Sequence, residues 1–203
     1  MSGIKELYLN ALMADAAYVD LPAGIITAAA GSDLTRRMTQ AQSTYIADNF
    51  AIVASINSNE NTQSGFDATV WRQNGTGQIY VSMRGTETSG VMDLFNDVDL
   101  AITGNARGQL VDMVNWWLRI SAPTNEQAKQ IAYETGVGYK LADSVQGAGL
   151  IGPQDLARGV IVNGHSLGGY LTTSFTRLFG VQANVKSSYT FNGAGIAPTY
   201  FWT

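Results

Sequence analysis

Gly159-Val160-Ile161-Val162-Asn163-Gly164-His165-Ser166-Leu167-Gly168-Gly169 is the stretch on which the reading of this chain turns. Its first half is short, apolar and β-branched, as in a strand buried on both faces of a parallel sheet. Its second half opens a run with apolar residues at helical spacing that reaches Phe179 and stops at Gly180. Strand, tight turn and helix follow in that order, with Ser166 on the turn. A serine so placed holds a strained backbone conformation, and the residues two before and two after it must be nearly free of side chain for strand and helix to approach. Gly164 and Gly168 meet that need, and Gly169 extends it. The arrangement has the form of a nucleophile elbow, with Ser166 as candidate nucleophile. The bland alternative is an ordinary glycine-rich turn between strand and helix.

His165 is the only histidine of the chain, and residues 167–203 contain no Asp, Glu or His. Hydrolases with this elbow carry the acid and then the base after the nucleophile. His165, next to Ser166 on a sharp turn, points away from its neighbour's hydroxyl and is expected to hold the loop by a hydrogen bond. The sequence therefore offers a nucleophile without its base, and the expectation is that acid and base lie beyond Thr203.

With 45% hydrophobic and 14% charged residues among 203, the composition is that of a soluble globular chain able to bury one sizeable core. The net charge of −4, with scattered acids, offers no basic patch for nucleic acid or anionic membrane. The absence of cysteine excludes disulfides and thiolate metal sites, and one histidine leaves no histidine cluster. Asp93, Asp97 and Asp99 fit no calcium-loop spacing, so neither metal nor other cofactor is expected. The first residues lack the charged start and apolar run of a signal peptide. The compartment stays open between the cytoplasm and export without a cleaved signal.

Residues 4–19 and a second segment holding Leu34, Met38, Tyr45 and Ile46 predict two packing helices within residues 1–49. From residue 50 the period changes to two, predicting strands over 50–56, 66–72 and 79–84, with breaks at 57–65 and at Asn74-Gly75-Thr76-Gly77. Thr124-x-x-Gln127 after Pro123 reads as a capping box, predicting a helix from Asn125 through Ile131 towards Val145. A further strand is expected over 188–192. The alternation predicts one α/β domain over 1–203, a mostly parallel sheet with helices on both faces. Tyr200-Phe201-Trp202 after a would-be sheet strand suggests that the domain lacks its C-terminal part.

Three segments together resemble the class 3 (fungal-type) lipase family of α/β-hydrolases, in a bacterial-looking variant: Gly164-His165-Ser166-Leu167-Gly168-Gly169, Met83-Arg84-Gly85-Thr86, and Thr190-Phe191-Asn192-Gly193-Ala194-Gly195. The resemblance spans roughly residues 50–202 and implies an α/β-hydrolase fold. It also implies that Thr86 donates to the oxyanion, with the backbone N–H of Leu167 as second donor. Residues 89–98 resemble by position the lid helix of a lipase, and a short packed helix is the alternative. Trp116 and Trp117 are expected in the core. The implied activity is serine-catalysed hydrolysis of lipid acyl esters, with a lipid or ester substrate as partner, at a lipid–water interface, together with the remaining part of the catalytic domain. Phospholipase A1, esterase and polyester hydrolase are rivals within enzymes. A catalytically inactive lipid-binding or structural module is the rival outside them.

Overall fold

In the computed structural model, residues 3–57, 64–85 and 98–193 are described, 28–30 and 98–105 of them by backbone alone. The described elements are helices α1 (Gly3–Ala16), α2 (Ala28–Leu34), α3 (Gln40–Asn49), α4 (Val98–Ser121), α5 (Pro153–Arg158) and α6 (Leu167–Phe179). The strands are β1 (Gly24–Ile25), β2 (Phe50–Ile56), β3 (Ala68–Gln73), β4 (Ile79–Met83), β5 (Gln127–Glu134), β6 (Gly138–Gln146), β7 (Val160–His165) and β8 (Val185–Phe191).

β4 and β7 are buried along nearly their whole length, as expected for apolar runs covered on both faces. They pair in parallel at the centre of a six-stranded sheet of order β1-β2-β3-β4-β7-β8. Alternation then assigns their side chains to two layers. Val70, Ile79, Val81, Val160 and Val162 share one core with Leu110, Met113 and Trp117 of α4 and Leu171 and Phe175 of α6. Ile52, Trp71, Tyr80 and Ile161 share the other with Leu9, Leu12 and Met13 of α1, Leu34 and Ile46. Helices thus cover both faces, as the sequence predicts. Trp117 meets the Phe175 ring edge-on at 4.8 Å and is core, as is Trp116.

The sheet is mixed rather than mostly parallel. β1-β2, β2-β3 and β3-β4 pair antiparallel, and only β4-β7 and β7-β8 are parallel. For β3-β4 the cause is a short connection: Gly75 (φ 78°) and Gly77 (φ 70°) turn the chain directly from β3 back into β4, whereas a parallel partner needs a longer crossover such as α6. The sheet also begins before residue 50, because Gly24 and Ile25 pair with Ala51 and Ile52.

Two helix expectations fail. The second N-terminal helix is divided, because the Thr39–Gln42 capping box starts α3 afresh after α2 has ended at Leu34. The helix expected from Asn125 is the antiparallel hairpin β5-β6. Gly136 (φ 84°) and Gly138 (φ 99°) form its turn, a conformation that stops a helix and suits a hairpin. Asn115 of α4 secures it, donating to the Ile131 carbonyl (2.9 Å) and accepting from the Ile131 N–H (2.8 Å). Thr124 offers its carbonyl to the Gln146 side chain instead of capping a helix.

Asn163 projects from β7 to the α1 side, where its amide donates to Asn10 Oδ1 at 2.9 Å, both residues being fully buried. Asn10 in turn donates to the Glu6 carbonyl. This pair pins α1 beneath the strand that leads to Ser166. Asn10→Ala strands the Asn163 amide without an acceptor, and the expected destabilisation is about 1–3 kcal/mol, read from urea unfolding with an unchanged m-value. A loss below ~0.5 kcal/mol would show that the pair does not secure the helix.

Candidate functional site

Between the end of β7 and the start of α6 the backbone reverses within one residue. Ser166 occupies that position with φ 57° and ψ −125° and is the N-cap of α6. For a residue with a Cβ this conformation costs on the order of 1–3 kcal/mol, and it persists where the surroundings enforce it. Here the enforcement is visible. The Ser166 N–H donates to the Phe191 carbonyl at the end of β8 (3.0 Å), and its own carbonyl accepts from the Gly169 N–H (2.9 Å).

The glycines explain the fit. A Cβ on Gly164 would lie 2.2 Å from the Gly168 carbonyl oxygen, and a Cβ on Gly168 would lie 2.1 Å from the Met83 carbonyl oxygen. Neither neighbour is a flexible side chain that could yield. Gly169 packs in the same way against the Cα of Gly193, 2.7 Å from the Cβ it lacks. The third sequence segment thereby meets the elbow helix at Gly193, while residues 194 and 195 lie outside the described residues.

Gly85 brings the second segment in. A Cβ there would meet the His165 carbonyl oxygen and Tyr18 Oη at 2.7 Å and the Ser166 Cβ at 3.0 Å. The end of β4 therefore lies directly against the serine. Thr86, next in sequence, lies outside the described residues, as do 89–97 of the expected lid segment, whose last residue, Val98, opens α4. Leu167 is the first residue of α6, where backbone N–H groups have no acceptor within the helix and the positive end of the helix dipole is strongest.

Arg84 anchors this strand end. Its side chain, 10% exposed, pairs with Asp67 (3.2 Å) and Asp20 (3.3 Å), and its N–H donates to the Asp67 carbonyl. An arginine so enclosed is tolerable only because carboxylates meet it. A cavity of about 290 Å³ opens beside these pairs, lined by Val19, Asp20, Leu21, Ile56, Asp67 and Thr69 among others, and the elbow does not line it.

His165 is turned from its neighbour: its Nδ1 lies 3.0 Å from Tyr18 Oη. Among the described residues no side chain is hydrogen-bonded to the Ser166 hydroxyl, and no group of three or more potential ligands is placed to hold a metal. Tyr18 escaped the sequence reading. It lies 147 residues from His165 and 67 from Gly85, with which it also bonds, and nothing local distinguishes it from the tail of an amphipathic helix. The same holds for Asp67, whose pairing with Arg84 no spacing announces.

No protein-family profile and no curated protein matches the sequence. Among solved structures the chain is similar to the Lip2 lipase of Yarrowia lipolytica, at 13% identity and a TM-score of 0.46, covering 94% of this chain and 59% of that one. It is also similar to the M37 lipase, at 19% identity and a TM-score of 0.42, covering 89% and 57%. The chain thus spans under three-fifths of the length of either lipase.

Proposed function

We propose that the protein is a serine ester hydrolase of α/β-hydrolase type, with Ser166 as its nucleophile and acyl esters of lipids as its substrates. The observation that carries this reading is the backbone of Ser166, a non-glycine held at φ 57° and ψ −125° between a buried strand and a 13-residue helix. Strain of this kind, kept at one residue by three close glycine contacts, has a chemical use. It lifts the hydroxyl off the sheet to where an ester carbonyl can approach.

In this reading Ser166 Oγ attacks the carbonyl carbon and the carbonyl oxygen becomes an oxyanion. The Leu167 N–H and Thr86 donate to it, and the α6 dipole favours the same charge. Collapse releases the alcohol and leaves an acyl-serine, which water then hydrolyses. His165 faces Tyr18, and the reading assigns neither the acid nor the base to a described residue. The lipid–water interface is its working surface.

The arrangement of His165 also supports a second reading, an elbow kept as scaffold in an inactive lipid-binding or structural module. A fluorophosphonate separates the two, since it phosphonylates an activated serine and spares a scaffold one. The hydrolase reading expects one adduct, on Ser166 by peptide mass, in the native protein. No adduct would favour the scaffold.

Ser166→Ala is expected to abolish both that adduct and hydrolysis of p-nitrophenyl esters, with far-UV circular dichroism unchanged. Ser166→Gly should be equally inactive yet more stable by about 0.5–2 kcal/mol, because glycine relieves the backbone strain at a smaller entropic cost. A destabilised Ser166→Gly would show that no strain is stored there. Thr86→Val, which keeps shape and removes the hydroxyl, should lower kcat about 10²-fold with little change in KM. An unchanged kcat would restrict Thr86 to its backbone.

A further inference from the structure

The end of β4 and the end of β7 are joined by a side chain from neither. Tyr18, two residues past α1, places its hydroxyl between them: the Gly85 N–H donates to Tyr18 Oη at 3.1 Å, and Tyr18 Oη lies 3.0 Å from His165 Nδ1. A phenol has one proton to give. With the Gly85 N–H already donating to its oxygen, the geometry points to that proton going to His165 Nδ1 as the bare nitrogen, with the imidazole proton on Nε2.

We propose that Tyr18 is a positioning residue of the elbow, whose hydroxyl clamps Gly85 against Ser166 and locks His165 as the neutral Nε2–H tautomer. The inference rests on the reading of Ser166 as nucleophile. The clamp has two consequences for that serine. It fixes the peptide that precedes Thr86, and so the distance from which an oxyanion donor on that segment can act. It also leaves His165 no lone pair for the serine proton, since one nitrogen accepts from Tyr18 and the other carries hydrogen.

The surroundings hold the phenol in place. Its ring lies 4.4 Å from the Arg37 guanidinium and 5.5 Å from that of Arg84, and edge-on to the His165 ring at 6.0 Å. Asp15 holds Arg37 through two contacts, at 2.8 and 3.1 Å, while Asp20 and Asp67 hold Arg84. Burial pushes the Tyr18 phenol above its usual range, against the opposing pull of the Gly85 hydrogen bond and the two arginines, so the hydroxyl keeps its proton at neutral pH.

His165 being the only histidine, its ring nitrogens give an unambiguous signal in long-range ¹H–¹⁵N spectra of the native protein. The expected pattern at pH 7.5 is a bare Nδ1 and a protonated Nε2. Tyr18→Phe keeps the ring and removes the hydroxyl, and it should give averaged tautomers, faster exchange of the Gly85 amide, and fluorophosphonate labelling of Ser166 slowed about tenfold, the equivalent of one hydrogen bond. Phe175→Leu, a core variant on the far face, controls for lost stability and should label at the native rate. An Nδ1–H or averaged tautomer in the native protein, or native labelling kinetics in Tyr18→Phe, would overturn the proposal. Absence of labelling in the native protein would instead sink the hydrolase reading, and the tautomer and the Gly85 exchange would still decide whether Tyr18 is the clamp.

Discussion

Backbone meets backbone at the centre of this protein, where β4, β7 and α6 come closer than any side chain allows. The approach of α6 to the end of β4 is set by Gly168 against Met83, and its approach to β7 by Gly164 against Gly168. Protein interiors tolerate little overlap, so a methyl group at either position forces α6 away from the sheet. The position of Ser166, the register of β8 through the Phe191 carbonyl, and the contact with Gly85 all depend on that distance. A strained serine is the local result of a global packing requirement.

Around this approach the two faces of the sheet take different parts. On one face, α4 and α6 bury aromatic and aliphatic side chains around Trp117 and Phe175, which supplies most of the hydrophobic driving force there. On the other, α1 and the segment after it carry polar partners to the strand ends: Asn10 to Asn163, Tyr18 to His165 and Gly85, Asp20 to Arg84. The first face holds the sheet against its helices. The second aligns the ends of β4 and β7 where the candidate site lies, and directional hydrogen bonds do that better than non-directional burial.

Connection length sets part of the mixed sheet. Glycines at positive φ, Gly75 and Gly77, permit the tight antiparallel reversal from β3 to β4, and α6 supplies the crossover that lets β8 pair parallel with β7, while β1 and β2 pair antiparallel across α2 and α3. The hairpin β5-β6 obeys the same logic. Its glycines outweighed a capping signal and a few apolar residues at helical spacing, because a turn conformation open to glycine alone is a stronger constraint than propensity.

What the sequence determined by itself is what period and punctuation encode: the strand and helix flanking Ser166, the β-branched centre of the sheet, the glycines at the elbow, and the layers that bury Trp116 and Trp117. These are local, since the pattern that signals each element also builds it. What only the tertiary structure decided are the contacts between segments far apart in the chain. Tyr18 bridging Gly85 and His165, Asp67 and Asp20 closing on Arg84, Asn10 under Asn163, and Asn115 bracketing Ile131 leave no trace in spacing. A side chain's partner across 67 or 147 residues is set by how the layers stack, and one hydroxyl or carboxylate reads in sequence like any other.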